Sequence, residues 1–259
     1  MKTLSSSDFK SFVYGMMLGD GYVHRNGKEF GCRQIEKTLI HYKATVIAKN
    51  LPTADIRVTE HDAYHDGKWS HQKIYRLRVK HEYFRKIFDR FYDHERKRVD
   101  DDILRYIKPN GLAVWYADDG TLNLIGKQNL LSGKADRLTD RRLELCTDGF
   151  TLDDTRIVAA FFDRRYGPDS CTLVNRDHKD KDWVNPTGFR LRFRVPAAQR
   201  LILEIHREFL HYPELLYKLD MGYRESDFAS PRCNATPEYQ QLFQEISAHD
   251  KFIDRLSLP

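Results

Sequence analysis

The feature that most constrains this chain is a repeated one: two apolar runs, each ending in Asp-Gly. The first is "FVYGMMLGDGYV", Phe12 to Val23, and the second is "LAVWYADDGTLN", Leu112 to Asn123. Aligned on the Asp-Gly step, Val13–Gly21 matches Leu112–Gly120. In the first run Phe9, Phe12, Val13, Met16 and Met17 stand at i, i+3, i+4, i+7 and i+8, the single apolar stripe of a helix. Gly15 and Gly19 lie four apart, as do Ala113 and Ala117 in the second run. Small residues at that spacing let two helix backbones approach closely. The expectation is a helix pair packed small face to small face. Gly21 and Gly120 would supply the left-handed residue that commonly ends a helix.

Such a pair sets Asp20 and Asp119 side by side at two helix C-termini. The negative ends of the helix dipoles and the like-charged neighbour both disfavour ionised carboxylates there. A hard divalent cation reverses the sign of that problem, so the two acids point to a metal site.

A second element also occurs twice. "YRLRVK", Tyr75 to Lys80, and "FRLRFRV", Phe189 to Val195, alternate with period two, which marks strands with one face on a core. The other face carries Arg76, Arg78 and Lys80 in one copy and Arg190, Arg192 and Arg194 in the other. Like charges in a row repel, and basic strands suit the major groove of duplex DNA. Arg33 joins these six as a candidate DNA contact. Each strand leads into a helical run, His81–Tyr92 and Ala197–Leu210. The chain thus reads as two αβ halves joined by the charged segment from Asp93 to Asn110, with Asn110 as the helix N-cap. Gly126–Arg142 reads as a polar loop, Asn175–Gly188 as a link between strands, and Gln240–Leu256 as a late helix.

Bulk properties fit a globular, DNA-compatible protein. Of 259 residues 41% are hydrophobic and 31% charged, and the formal charge of +5 permits a polyanionic partner. Cys32, Cys146, Cys171 and Cys233 contain no C-x-x-C pair, so free thiols are expected instead of a zinc or disulfide framework. No run has signal-peptide or membrane-spanning character, and a soluble, intracellular protein is expected.

These residues resemble the LAGLIDADG homing endonucleases in their single-chain, two-motif form. Both Asp-Gly helices, both basic strands, the run Arg96–Gly120 and "YPELLYKL" (Tyr212–Leu219) carry the resemblance. It implies an α+β fold of two pseudo-twofold-related αββαββα halves: the motif helices meet at the centre and antiparallel sheets form a saddle for DNA. It divides the chain into residues 1–95, a linker 96–110, a second half 111–220 and an extension 221–259. It implies Asp20 and Asp119 as metal acids, with backbone oxygens near Gly19 and Asp118 as further ligands and Asp118 as a supporting helix-end group beside Asp119. It also implies Lys97 and Lys218 as basic residues beside the metal acids, and Gln34 in a polar positioning role. Glu144, Cys146 and Asp148 are the alternatives for the counterpart of Gln34 in the second half. The implied activity is Mg²⁺-dependent cleavage of both strands of a long asymmetric target across the minor groove. Short 3′ overhangs result, two or three divalent ions are used, and Mn²⁺ or Ca²⁺ can substitute for binding. The expected partner is double-stranded DNA, bound by a monomer. The competing readings are a non-cleaving relative acting as RNA maturase or regulator, and an unrelated α+β hydrolase for which the duplicated strands are accidental.

Overall fold

The computed structural model describes residues 3–65, 68–94, 96–125, 140–175, 188–223, 225–230 and 233–245. The first half runs α1 (Ser6–Leu18), β1 (Tyr22–Val23), β2 (Glu29–Gln34), α2 (Lys37–Asn50), β3 (Asp55–His65), β4 (Lys68–Lys80) and α3 (Tyr83–Phe91). A short hairpin, β5 (Tyr92–Asp93) and β6 (Arg96–Lys97), and a single turn, α4 (Asp101–Leu104), follow. The second half repeats the order with α5 (Pro109–Asp119), β7 (Gly120–Ile125), β8 (Asp140–Cys146), α6 (Leu152–Tyr166), β9 (Cys171–Asn175), β10 (Phe189–Phe193) and α7 (Val195–Phe209). A 3₁₀ turn (Pro213–Lys218), the short α8 (Glu225–Phe228) and helical residues 237–245 complete the described chain.

Each half thus has the expected αββαββα order. The two antiparallel sheets share one topology, β1-β2-β4-β3 and β7-β8-β10-β9. Period two does what the sequence required of it: Leu77, Val79, Leu191 and Phe193 are buried, whereas Arg78, Lys80 and Arg194 are exposed and Arg76, Arg190 and Arg192 half-buried. The motif helices are buried nearly all round, as helices between two sheets must be. Phe9 through Leu18 of α1 are buried except Lys10, and so is every residue of α5 from Gly111 to Ala117. Ser5 caps α1 by accepting the Asp8 N–H, and Thr151 caps α6 in a reciprocal capping box with Asp154.

Several local expectations are corrected. Helix α5 begins at Pro109, with Lys108 as its N-cap. Asn110 instead spends its amide on Asp8 O across the helix pair, at 2.8 Å. The runs after the basic strands are α3 at Tyr83–Phe91 and α7 at Val195–Phe209. Gly21 and Gly120 are not left-handed, since positive φ among described glycines occurs at Gly27, Gly167, Gly188 and Gly222. They are needed for space: a Cβ on Gly21 would lie 2.5 Å from Met16 O, and one on Gly120 would lie 2.2 Å from the Tyr116 ring. Asp140–Arg142 belong to β8, and the rest of the expected polar loop, 126–139, lies outside the described residues, as do 176–187 between β9 and β10. Residues 246–256 of the expected late helix also lie outside them.

The extension is built into the core. Tyr239 is fully buried, donates its hydroxyl to Leu219 O at 3.0 Å and accepts the Met221 N–H at 3.0 Å. It therefore braces the chain directly after the turn that carries Lys218.

Candidate active site

The site begins at the crossing of α1 and α5. A Cβ on Gly15 would lie 2.0 Å from Gly111 O, and one on Gly111 would lie 2.3 Å from Ser11 O. Gly15 is thus at the contact as expected, but the backbone it meets is that of Gly111, which four-residue spacing did not single out. Ala113 and Ala117 are buried. Gly19 faces a side chain: a Cβ there would lie 2.6 Å from Asp118 Oδ2. In the Asp-Gly register Gly19 and Asp118 are equivalent positions, so one half leaves the room that the other half's carboxylate fills.

Asp118 is the hub of a buried polar network. Its side chain and that of Lys43 are both fully buried, with Lys43 Nζ 2.5 Å from Asp118 Oδ1. Gln34 Nε2 donates to the same Oδ1 at 2.8 Å and to Asp20 Oδ2 at 2.6 Å, while the Asp20 N–H donates to Asp118 Oδ2 at 3.3 Å. Lys43 Nζ also reaches Cys32 Sγ at 3.4 Å. Burial raises the Asp118 carboxyl to about 6, against the pull of Lys43, and Asp20 adds to the rise. Burial alone would lower Lys43, but Asp118 and Cys32 outweigh it and raise its pKa. Three donors converging on one carboxylate favour its ionised form.

Lys43 is the residue that sequence reasoning missed, although a signal existed. The buried stripe of α2 is Leu39, Ile40, Lys43, Val46 and Ile47, so a lysine stands where a helix of this pattern wants an apolar residue.

Asp20 is exposed and Asp119 half-buried, each at the end of its motif helix. Burial, then Asp118 and Asp20, hold the Asp119 carboxyl well above the usual carboxylate range. Two lysines share this electrostatic neighbourhood. Lys97 donates to Gly19 O at 3.1 Å and Gly21 O at 2.8 Å, and Lys218 donates to Ala117 O at 2.6 Å. Burial lowers the pKa of both, while the aspartates oppose it. Of the three consecutive basic residues, only Lys97 reaches the motif. Arg96 pairs with Asp154 at 3.7 Å, and Arg98 donates to Arg90 O at 3.4 Å.

The counterpart of Gln34 follows from strand register. Tyr22 pairs with Gly31 as Thr121 pairs with Glu144, so Gln34, three residues beyond Gly31, corresponds to Thr147. None of the three expected alternatives holds that place. Thr147 is buried and donates its hydroxyl to Phe189 O at 2.5 Å. Glu144 instead pairs with Arg192 at 2.8 Å, and Asp148 with Arg190 at 2.9 Å.

The donor set fits a hard divalent cation. Three carboxylates crowd one locality, and burial followed by Asp118 and Asp20 raises the Asp119 carboxyl, a rise that a bound cation would oppose. Among the described residues no three His, Cys, Asp or Glu side chains form a closed cage. Two acids and open positions suit an ion of the Mg²⁺ kind, which keeps water and phosphate oxygens as ligands. Asp20, Asp119 and the backbone oxygens beside them are the residues that would hold it, although Gly19 O already accepts from Lys97.

The sheets frame this centre with cations. By register Arg76, Arg78 and Lys80 are equivalent to Arg190, Arg192 and Arg194, since Arg78 faces Gly31 as Arg192 faces Glu144. Arg33 lies opposite Arg76, and Arg57 opposite Arg78. Like charges directly opposite destabilise a sheet, so a face that retains them is shaped for something other than stability. Arg57 was not anticipated from the sequence. Some of the charge is balanced within the protein, with Arg78 on Glu29 at 2.8 Å (Nε–Oε1). Arg76 Nε and Thr121 Oγ1, on the two sheets, are buried without a partner.

Comparison with known proteins bears on the fold and the family. An uncharacterized protein of Methanocaldococcus jannaschii, MJ1098, is 27% identical over 168 residues, covering 63% of this chain and 59% of that one. The chain therefore matches somewhat more than half the length of this curated relative. The structure of the homing endonuclease I-WcaI bound to its DNA recognition sequence superposes with a TM-score of 0.63 at 20% identity, covering 85% of this chain and 88% of that chain. I-DmoI, solved with DNA and Mn, gives 0.41 at 13% identity, covering 85% and 99%. The profile of the LAGLIDADG DNA endonuclease family matches residues 10–201. With its two motif helices, its repeated sheets and this match, the chain belongs to the LAGLIDADG DNA endonuclease family.

Proposed function

We propose that this protein is a site-specific endonuclease that cuts both strands of a duplex DNA target by Mg²⁺-dependent hydrolysis. One observation carries the reading: Asp20 and Asp119 converge at the ends of paired helices, flanked by Lys97 and Lys218, between two sheets whose outer faces bear arginine. Bound there, the metal supplies charge stabilisation of the scissile phosphates and lowers the pKa of attacking water. The chain's own groups do the rest. Lys97 and Lys218 set positive charge beside the phosphates. Gln34 orients Asp20. Arg33, Arg57, Arg76, Arg78, Lys80, Arg190, Arg192 and Arg194 hold the flanking duplex.

Two unlike halves in one chain read an asymmetric target without a second copy, so the working form is a monomer. The family resemblance implies cleavage across the minor groove with short 3′ overhangs, and two acids at a shared centre with the sheets to either side are compatible with it.

A second reading, a non-cleaving nucleic-acid binder, draws on the same lysines. Both spend their ammonium groups on backbone carbonyls, which would brace the helices in a protein that only binds. Selection of cleavage sites from randomised duplex DNA with Mg²⁺ separates the two. The endonuclease reading expects discrete double-strand cuts that are lost in Asp119→Asn. Absence of cuts under every divalent ion tried supports the binder, and full cleavage by Asp119→Asn removes the acid from its assigned role.

A further inference from the structure

The two halves repeat their backbone but not the polar groups behind their acids. In the first half Gln34 bridges Asp20 Oδ2 and Asp118 Oδ1 at 2.6 and 2.8 Å, and Lys43 grips Asp118 at 2.5 Å. The Asp20 N–H closes the ring on Asp118 Oδ2 at 3.3 Å. Only the NH₂ end of a carboxamide can face two carboxylates, so the orientation of Gln34 follows from the network. The ring spans both halves through Asp118, but the nucleic-acid-facing acid it holds is Asp20.

Asp119 has no such brace. The place of Gln34 is taken by Thr147, whose hydroxyl is committed to Phe189 O at 2.5 Å. The place of Asp118 is taken by Gly19, which has no side chain. The buried residues of α6 are Thr155, Val158, Ala159, Phe161, Phe162 and Tyr166, with no cation among them to match Lys43 in α2. Asp119 accepts no hydrogen bond from any described residue.

We propose that Lys43 and Gln34 are positioning residues for Asp20 alone, so that the half-sites are unequal and the strands are cut in order, the one served by Asp20 first. A carboxylate already fixed in one orientation needs no rearrangement to take up its ligand, whereas Asp119 must be ordered as the complex forms. The kinetic part of this inference rests on the endonuclease reading; the positioning part does not.

The test follows each strand of an end-labelled duplex separately. The native protein should accumulate a nick in one strand. Gln34→Ala should slow that strand by about tenfold or more, leave the other strand close to native and so shrink the ratio of the two rates. The double variant Lys43→Met/Asp118→Leu, which also removes the carboxylate beside Asp119, should slow the strand served by Asp20 more than the other. The double variant replaces a buried ion pair with apolar groups of similar shape, which preserves folding. Thr147→Val should leave the ratio unchanged. The ratio is internal to one complex, so a lower folded fraction cannot move it. Independently, in free protein without metal, the side-chain amide protons of Gln34 should exchange slowly by NMR and lose that protection in the double variant. Equal slowing of both strands, or Gln34 exchange that is the same in native and variant protein, overturns the proposal. If the native protein cuts no duplex at all, the endonuclease reading fails instead, and the exchange measurement still decides whether Lys43 and Asp118 position Gln34.

Discussion

Gly15→Ala puts one methyl group where the two motif helices meet, and the structure sets the size of the effect. The new Cβ would lie 2.0 Å from Gly111 O, and Cβ contacts under 3.0 Å essentially do not occur, so the backbones must part by about 1 Å (3.0 minus 2.0). The neighbouring atoms are backbone, which cannot rotate away. Overpacking of this kind costs up to about 3 kcal/mol, occasionally more. Replacing glycine with alanine inside a helix returns about 1 kcal/mol through propensity. The clash wins, with a net loss of about 2 kcal/mol. The same shift lengthens the 3.3 Å contact from Asp20 N–H to Asp118 Oδ2 to about 4 Å, beyond hydrogen bonding. Since misplacement by about 1 Å can slow a reaction about a hundredfold, cleavage should fall further than stability does. Urea denaturation measures the first effect, and cleavage kinetics at saturating DNA the second. Gly149→Ala is the control, because nothing lies within 4 Å of its Cβ position. A Gly15→Ala protein with native midpoint and native cleavage would refute the close-crossing argument. Lost stability with undiminished cleavage would refute the link from crossing to catalytic geometry.

Further predictions concern the buried pair, the sheets, the metal and the extension. Lys43→Met alone strands the Asp118 carboxylate and should cost about 3–5 kcal/mol in urea, while Lys43→Met/Asp118→Leu should come close to native stability; similar losses in both would deny the coupling. If about six phosphates are neutralised, DNA affinity by fluorescence anisotropy should fall roughly a thousandfold between about 50 and 200 mM salt, and Arg57→Ala should reduce the slope of the log–log plot by about 1. A flat plot would mean that the sheets do not face DNA. Chelation with EDTA should stop cleavage and Mg²⁺ restore it, whereas gel-shift binding should survive in Ca²⁺. Tyr239→Phe leaves the Met221 N–H unpaired and should cost about 1–3 kcal/mol by thermal or urea unfolding; a native midpoint would mean that the extension does not brace the turn before it.

Sequence alone determined the duplication, because the features that report it are local and periodic. The apolar stripe through Phe9, Phe12, Val13, Met16 and Met17 marks a helix, and only the packing of both sheets around it shows that it is buried nearly all round. Strict alternation at Tyr75–Lys80 and Phe189–Phe193 forces strands with a charged outer face, and two copies of each in one order imply two halves of one fold. Asp20 and Asp119 were visible for the same reason, each adjacent to a pattern, whereas Gln34 came only from the family resemblance. Strand pairing decided what periodicity cannot express. Register identified Thr147, not Glu144, Cys146 or Asp148, as the counterpart of Gln34, and it set Arg57 across from Arg78. The partner of Gly15 is Gly111 because crossing angle and offset belong to two helices at once, and neither helix encodes them alone. Lys43 and Asp118 are the sharpest case. They are separated by 75 residues and meet at 2.5 Å, and each alone is an ordinary charged residue. Only the packing of α2 on the first sheet, which carries Lys43 to Asp118 at the end of α5, takes both out of water, and burial makes the pair obligatory.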